Sequence, residues 1–393
     1  MIRAGDFLHA CLERGYRFYT GTPCSYLKPI INFVIDHKAA RFVNAANEGD
    51  AVALACGAVM AGNRSIVMFQ NSGLGNAINP LTSLAYTFRI PLLLIVTLRA
   101  EPSGPKDEPQ HELMERITTS LLETLRIGWS YFPANSTDAI EPVLERADAF
   151  MADKSLPHAL VMRKGDVESC DLTTEDVKSS LLPPIRHEEA SRSLCKARPT
   201  RHQSLRVMQA VSAQRTAVIA TTGFTGRELC SLRDRDNQLY MVGSMGCAIS
   251  IGTGIALHKP GLKVIVIDGD GALLMRTGAL AMTSLCAPGN LIHILLDNEV
   301  HESTGGQQTL SGHVSFPMIA RALGFTQVFS TDGLDDFKNC LTQSMTEQGP
   351  VFIHLKTRPG VPADLGRPSV APVQVKERFM AYLETFQSEE VYG

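Results

Sequence analysis

The stretch Val266-Ile-Asp-Gly-Asp-Gly-Ala-Leu-Leu-Met275 reads as a buried strand running straight into a helix, with Asp268 and Asp270 set among glycines at the junction. Two acids two residues apart suggest the opening of a calcium loop. Such a loop needs Gly at its sixth position and a bidentate Glu at its twelfth, where this chain has Leu273 and Ala279. A Gly-rich turn at a helix start is also a phosphate cradle, and an acid in that cradle repels phosphate unless a cation lies between them. The stretch therefore predicts a metal-bridged diphosphate. Taken alone, Asp270 is equally a helix amino-terminal cap.

On either side of this junction, short apolar runs alternate with helical patterns. The runs cover 17–20, 41–44, 65–70, 91–98 and 158–162, then 216–220, 238–242, 262–267, 291–296, 327–329 and 351–356. Such alternation predicts an α/β fold with two doubly wound parallel sheets, each covered by helices on both faces. Between the blocks, charges, serines and Pro183-Pro184 replace any apolar period. The expected organisation is a first domain over 1–168, a linker over 169–203 and a second domain over 204–393. Ligands of such sheets bind outside the carboxyl ends of the strands. Thr22, Ser25, Glu48, Asn71, Ser72, Thr222, Gly243, Met245, Gly269, Asp270, Gly271 and Asn298 all fall at such ends.

With 393 residues, 44% of them hydrophobic, the chain can bury a large core. Its formal net charge of −3 provides no electrostatic footprint for nucleic acid or an anionic membrane. Small-molecule partners are expected instead. Nine cysteines, an odd number without a C-x-x-C pair, suit a reducing compartment and point to the cytoplasm. The longest apolar runs, such as 90–96, are too short to span a bilayer.

Adjacent parallel strands bring their carboxyl ends together, so Asp270 and Asn298 can share a hard cation such as Mg²⁺, whose shell phosphate oxygens and water complete. Gly269-Asp270-Gly271, followed roughly two dozen residues later by an Asn closing the next strand, resembles the signature of the thiamine diphosphate-dependent decarboxylases. That resemblance implies thiamine diphosphate and Mg²⁺ as cofactors, with Asp270, Asn298 and the carbonyl of Val300 as metal ligands. It places Thr222, Gly269 and Gly271 among the cofactor-binding residues. Asn44-Ala-Ala-Asn-Glu48-Gly-Asp resembles the family segment whose Glu activates the cofactor's pyrimidine. Gly243-Ser-Met-Gly246 resembles the segment that bends the cofactor, with Met245 as wedge and the Gly243 carbonyl accepting from the amino group. The plainer readings are a first-turn Glu favoured by the helix dipole and a core Met. A nicotinamide reading fails because Gly73-Leu-Gly75-Asn-Ala-Ile78 ends in Ile where Gly or Ala is required.

Most large members of that family carry a middle domain, for which this chain has no room. Thr20–Ser25, Asn47–Gly49, Gln70–Asn76, Asp107–His111 and Leu296–Gln307 resemble a smaller branch, whose 2-keto acid substrates bear a phosphonate or sulfonate on the methyl carbon. The resemblance implies decarboxylation of such an acid to an aldehyde. The phosphonate is favoured by the wording Val300-His-Glu-Ser-Thr-Gly-Gly-Gln307, which implies a place in phosphonate natural-product biosynthesis. It also implies a homodimer or homotetramer with active sites between subunits. Thr22, Ser25, Asn71 and Ser72 are candidates for holding the substrate anion through hydroxyls and backbone amides, or else ordinary turn and cap residues. His111 is a candidate for proton handling or substrate orientation, or else a loop histidine. His301 and Gln307 either close over the site or are structural.

Overall fold

A computed structural model describes residues 1–101, 107–174, 186–187, 197–212 and 215–386. The chain divides into two compact units, Met1–Val177 and Lys178–Glu389.

The first unit is built on a six-stranded sheet in the order Arg41–Asn44, Tyr16–Gly21, Arg64–Gln70, Leu93–Thr97, His158–Met162, Gly128–Tyr131, with every pairing parallel. The central strands are continuous apolar runs, and Leu93–Thr97 and His158–Met162 are buried at every position. That is what a sheet covered on both faces requires. After Tyr16–Gly21 the chain crosses to one side to make Arg41–Asn44, then returns to the other side to make Arg64–Gln70. The topology thus reverses at the ends of Gly21 and Gln70. The helix Glu48–Met60 packs on this sheet and is buried over nearly its whole circumference, as its run of Ala, Val and Gly allows.

The second unit repeats the plan. Its sheet runs Arg186–His187, Gln327–Thr331, Val351–Lys356, Leu291–Asp297, Lys263–Gly269, Thr216–Ala220, Gln238–Tyr240, again all parallel. Here the order reverses between Thr216–Ala220 and Lys263–Gly269. Thr221 and Gly269 therefore flank the crevice in which an open α/β sheet takes its ligand.

All eleven strands expected from the sequence are present, with ends that differ by a few residues. Gly128–Tyr131 is additional. It is a sheet-edge strand, half-buried, and has no continuous apolar run to announce it. Arg186–His187 and the two-residue pair Val300–His301 with Gln307–Gln308 are likewise too short to carry a period. Residues 200–203, read from the sequence as linker, instead start the helix Arg201–Val211, which Thr200 and Gln203 close with a reciprocal capping box.

Candidate active site

In the first unit, Glu48 opens its helix at the topological reversal. Asn47 caps the same helix by accepting from the Asp50 N–H at 3.1 Å. The two Glu48 oxygens are engaged separately: Oε1 accepts from Thr22 Oγ1 at 3.0 Å and Oε2 from Asn76 Nδ2 at 2.7 Å. A Cβ on Gly73 would stand 2.5 Å from Glu48 Cγ, so only glycine lets the 71–76 turn close over this carboxylate.

Ser25, Ser72 and His111 fall into a neighbouring network. Ser25, exposed, accepts from Arg99 Nη1 at 3.1 Å, and Ser72, exposed, accepts from Gln70 Nε2 at 2.6 Å. His111 is 7% exposed, with Nδ1 3.2 Å from Asp107 Oδ1 and Nε2 3.3 Å from Gln70 Nε2. Cys24 Sγ donates to Gln70 Oε1 at 3.5 Å, which leaves the Gln70 amide nitrogen to donate to the ring. The proton of a neutral His111 ring therefore belongs on Nδ1, facing Asp107. The Arg99 guanidinium, foremost among several hydrogen-bond donors, holds the Asp107 carboxyl well below the usual carboxylate range. Asn71 is not drawn into this group. It is fully buried and donates to Thr118 Oγ1 at 3.1 Å.

In the second unit, an open cleft lies at the reversal point. It is lined by Thr221, Thr222, Met245, Gly269, Asp270, Gly271, Asn298, Val300 and His301, among others. Gly243 is only two residues from Met245 but does not line it. The parallel register sets Gly269 opposite Leu296, so Asp270 and Asn298 follow the ends of neighbouring strands. Asp270 is 3% exposed and accepts from the Thr309 hydroxyl; burial pushes its carboxyl pKa up. Asn298 Oδ1 accepts from the Val300 N–H at 3.3 Å, and its Nδ2 donates to Glu302 Oε2 at 3.2 Å. Glu302 is itself bound by Arg201 Nη1 at 2.9 Å, while Arg201 Nε and Nη2 hold the fully buried Glu228 at 2.9 and 2.5 Å. The next-door Asp297 takes no part in the cleft. Burial would raise its pKa, but hydrogen bonds from His354, Lys356 and Ser311 outweigh burial and hold it low. His301 lies against Gly271, where a Cβ would come within 2.5 Å of its ring. Gln307 is exposed and accepts from the Thr304 hydroxyl.

Residues 2–119 match the family described as thiamine pyrophosphate enzyme, N-terminal TPP binding domain, and residues 225–355 its C-terminal TPP binding domain. The chain belongs to the thiamine pyrophosphate enzyme family. It is 43% identical over 385 residues to the phosphonopyruvate decarboxylase of Streptomyces viridochromogenes, covering 98% of this chain and 96% of that one. It is 30% identical to the sulfopyruvate decarboxylase of Methanosarcina acetivorans, covering 92% of each. The fold matches that of benzoylformate decarboxylase from Polynucleobacter necessarius with a TM-score of 0.71 over 92% of this chain and 100% of that one, at 13% identity.

The cleft suits the family's cofactor. A Cβ built on Gly269 would meet no atom within 4 Å, so the backbone there lies open to a ligand. Thr221 is buried at the cleft wall and its hydroxyl has no hydrogen-bond partner. Among the described residues no three His, Cys, Asp or Glu side chains are grouped to hold a metal. With the Glu302 carboxylate paired to Arg201, the donors left at hand are the Asp270 carboxylate, the Asn298 amide oxygen, hydroxyls and peptide carbonyls, an oxygen set matched to a hard cation that shares its shell with phosphate. Sequence reading assigned no role to Arg99, Arg201, Thr309 or Glu302. Only Arg201 carried a local signal, the Thr200-x-x-Gln203 capping box beside it.

Arg201 is 8% exposed, and Glu228 is fully buried. Removing the cation from such a pair leaves buried charge without compensation, so Arg201→Met is expected to lower stability by about 3–5 kcal/mol. A denaturant midpoint equal to that of the unmodified protein would contradict this account of the network.

Proposed function

We propose that this chain decarboxylates 3-phosphonopyruvate to phosphonoacetaldehyde and CO₂ with thiamine diphosphate and Mg²⁺, in a cytoplasmic route to phosphonates. The supporting observation is the 43% identity to a protein named for that activity, across nearly the full length of both chains. Among the described residues no helix is long and apolar enough to cross a membrane.

In this reading Asp270, Asn298 and the Val300 carbonyl hold the cation, and Thr222, Gly269 and Gly271 surround the diphosphate. Met245 at the cleft wall and the Gly243 carbonyl would hold the cofactor between its diphosphate and its amino group. Bound there, the cofactor supplies a carbon nucleophile for the keto carbon and a sink for the electrons of the departing carboxylate. Glu48 partners the pyrimidine. Thr22 and Asn76 each occupy one of its oxygens and fix its direction, leaving lone pairs for a ring nitrogen. His111, with Nδ1 tied to Asp107, orients substrate or handles the proton that takes the place of CO₂. Ser25 and Ser72 offer hydroxyls to the substrate, while Thr22, expected beside them, spends its hydroxyl proton on Glu48 and its N–H on the Met68 carbonyl. Asn71, buried against Thr118, supports the turn that carries Ser72.

We also infer a homodimer or a dimer of dimers, in which Glu48 of one protomer serves a cofactor held by Asp270 of its partner. A two-fold axis then builds two equivalent sites at once.

Incubated with thiamine diphosphate and Mg²⁺, the protein should prefer phosphonopyruvate over sulfopyruvate by at least about tenfold in kcat/KM, the factor supplied by one charge-assisted contact of roughly 1.5 kcal/mol. Equal or faster release of sulfoacetaldehyde would reassign the substrate. Glu48→Gln should lose about 100-fold or more in turnover, the scale of acid–base catalysis, while cofactor affinity measured by calorimetry stays within about threefold. Near-normal turnover would return Glu48 to a capping role. Mixed with Asp270→Ala under conditions of subunit exchange, Glu48→Gln should regain activity. Confirmed exchange with no regain would place each site within one chain.

A further inference from the structure

We propose that Arg99, together with Ser25, receives the distal anion of the substrate, and that Asp107 and Tyr26 are positioning residues for the guanidinium. The inference rests on the substrate class proposed above and goes beyond it in naming the cation.

Arg99 follows the strand Leu93–Thr97 by two residues, at the sheet end that also carries Ser25, Gln70 and Glu48. Its Nε and Nη2 each donate to Asp107 at 2.8 Å, Nη1 donates to Ser25 Oγ at 3.1 Å, and the guanidinium carbon stands 4.6 Å above the centre of the Tyr26 ring. Asp107 is committed to this task. It also accepts from the N–H groups of Glu108 at 2.8 Å and Ala100 at 3.1 Å and from the Tyr26 hydroxyl at 3.3 Å. A cation gripped on one edge and one face is pre-organised, so little entropy is lost when it meets an anion. Arginine carries five N–H donors. Among the described residues, Asp107 and Ser25 are the only oxygen acceptors found for them. The Arg99 side chain keeps 17% of its surface accessible, and Ser25, exposed, accepts through oxygen while its own hydroxyl hydrogen remains available. Arg99 Nη1 and Ser25 Oγ, 3.1 Å apart, are therefore adjacent donors.

Among the described residues, two other cations of this unit are already engaged. Arg163 pairs with Glu101 at 3.2 Å and stacks on the Tyr131 ring at 4.4 Å, and Lys28 pairs with Asp171 at 3.2 Å. A purely structural Arg99–Asp107 pair would need neither the contact with an exposed serine nor a place among the ligand-facing strand ends. A phosphonate, with nearly two charges and three acceptor oxygens, suits a planar donor fork.

The test uses the full-length holoenzyme with phosphonopyruvate. First, turnover by the unmodified protein establishes the activity itself. If it is absent, the proposed function fails and this inference falls with it. With activity present, Arg99→Gln should raise KM about 10- to 100-fold, the range for losing a charge-assisted contact. In the same variant kcat should stay within about fivefold and the calorimetric affinity for Mg²⁺-thiamine diphosphate within about twofold. Arg99→Lys, which keeps the charge, should fall between. An unchanged KM in folded Arg99→Gln, or a loss confined to kcat, overturns the proposal and leaves the activity standing. If Arg99→Gln does not fold, Ser25→Ala decides: KM raised about tenfold supports the pair, and KM within about twofold overturns it.

Discussion

The parallel register of Lys263–Gly269 with Leu291–Asp297 governs the cleft. Pairing Gly269 with Leu296 delivers Asp270 and Asn298 just past the ends of two adjacent strands. A one-residue slip would turn every side chain of one strand to the opposite face and separate this carboxylate from its amide partner. The register is held by burial, because both strands are mostly apolar and their interior positions are closed to solvent. The energy that folds the sheet and the geometry that positions an oxygen set for a cation therefore have the same source.

Four carboxylates around the two sheets fall into two kinds by their partners. Asp107 and Asp297 are each surrounded by cationic or neutral donors that stabilise the ionised form and use up its lone pairs. They hold other groups in place. Asp270, buried with the Thr309 hydroxyl as its side-chain partner, has among the described residues no cation to offset its loss of hydration. Glu48 receives two neutral donors and no cation. Acids left short of positive charge in this way are the ones able to take up a metal ion or a protonated ring nitrogen.

The two sheets were legible because buried parallel strands are written as unbroken apolar runs, and the places of Glu48, Asp270 and Asn298 in the fold were legible because they follow the ends of those runs. Their supports were not legible, since the partners are distant in the chain. Thr309 reaches Asp270 across 39 positions, and Ser25 meets Arg99 across 74. Arg201 disappeared into a polar stretch that reads as linker, although Thr200 and Gln203 announce a helix there. Asn71 shows the opposite failure: a polar residue at a ligand-facing turn, yet buried and bonded inward to Thr118.

The central claim is that the cleft at the reversal point of the second sheet binds a diphosphate through a divalent cation rather than directly. Calorimetric titration of the cofactor-free protein with thiamine diphosphate, once in excess Mg²⁺ and once in a chelator, addresses it without any catalytic readout. A buried acid facing a multiply charged anion predicts that affinity falls at least about 100-fold when the cation is withdrawn, roughly the 3 kcal/mol of an unpaired buried charge. Equal affinity in the chelator would mean that the diphosphate is held by the backbone and hydroxyls alone, and that Asp270 is a helix cap.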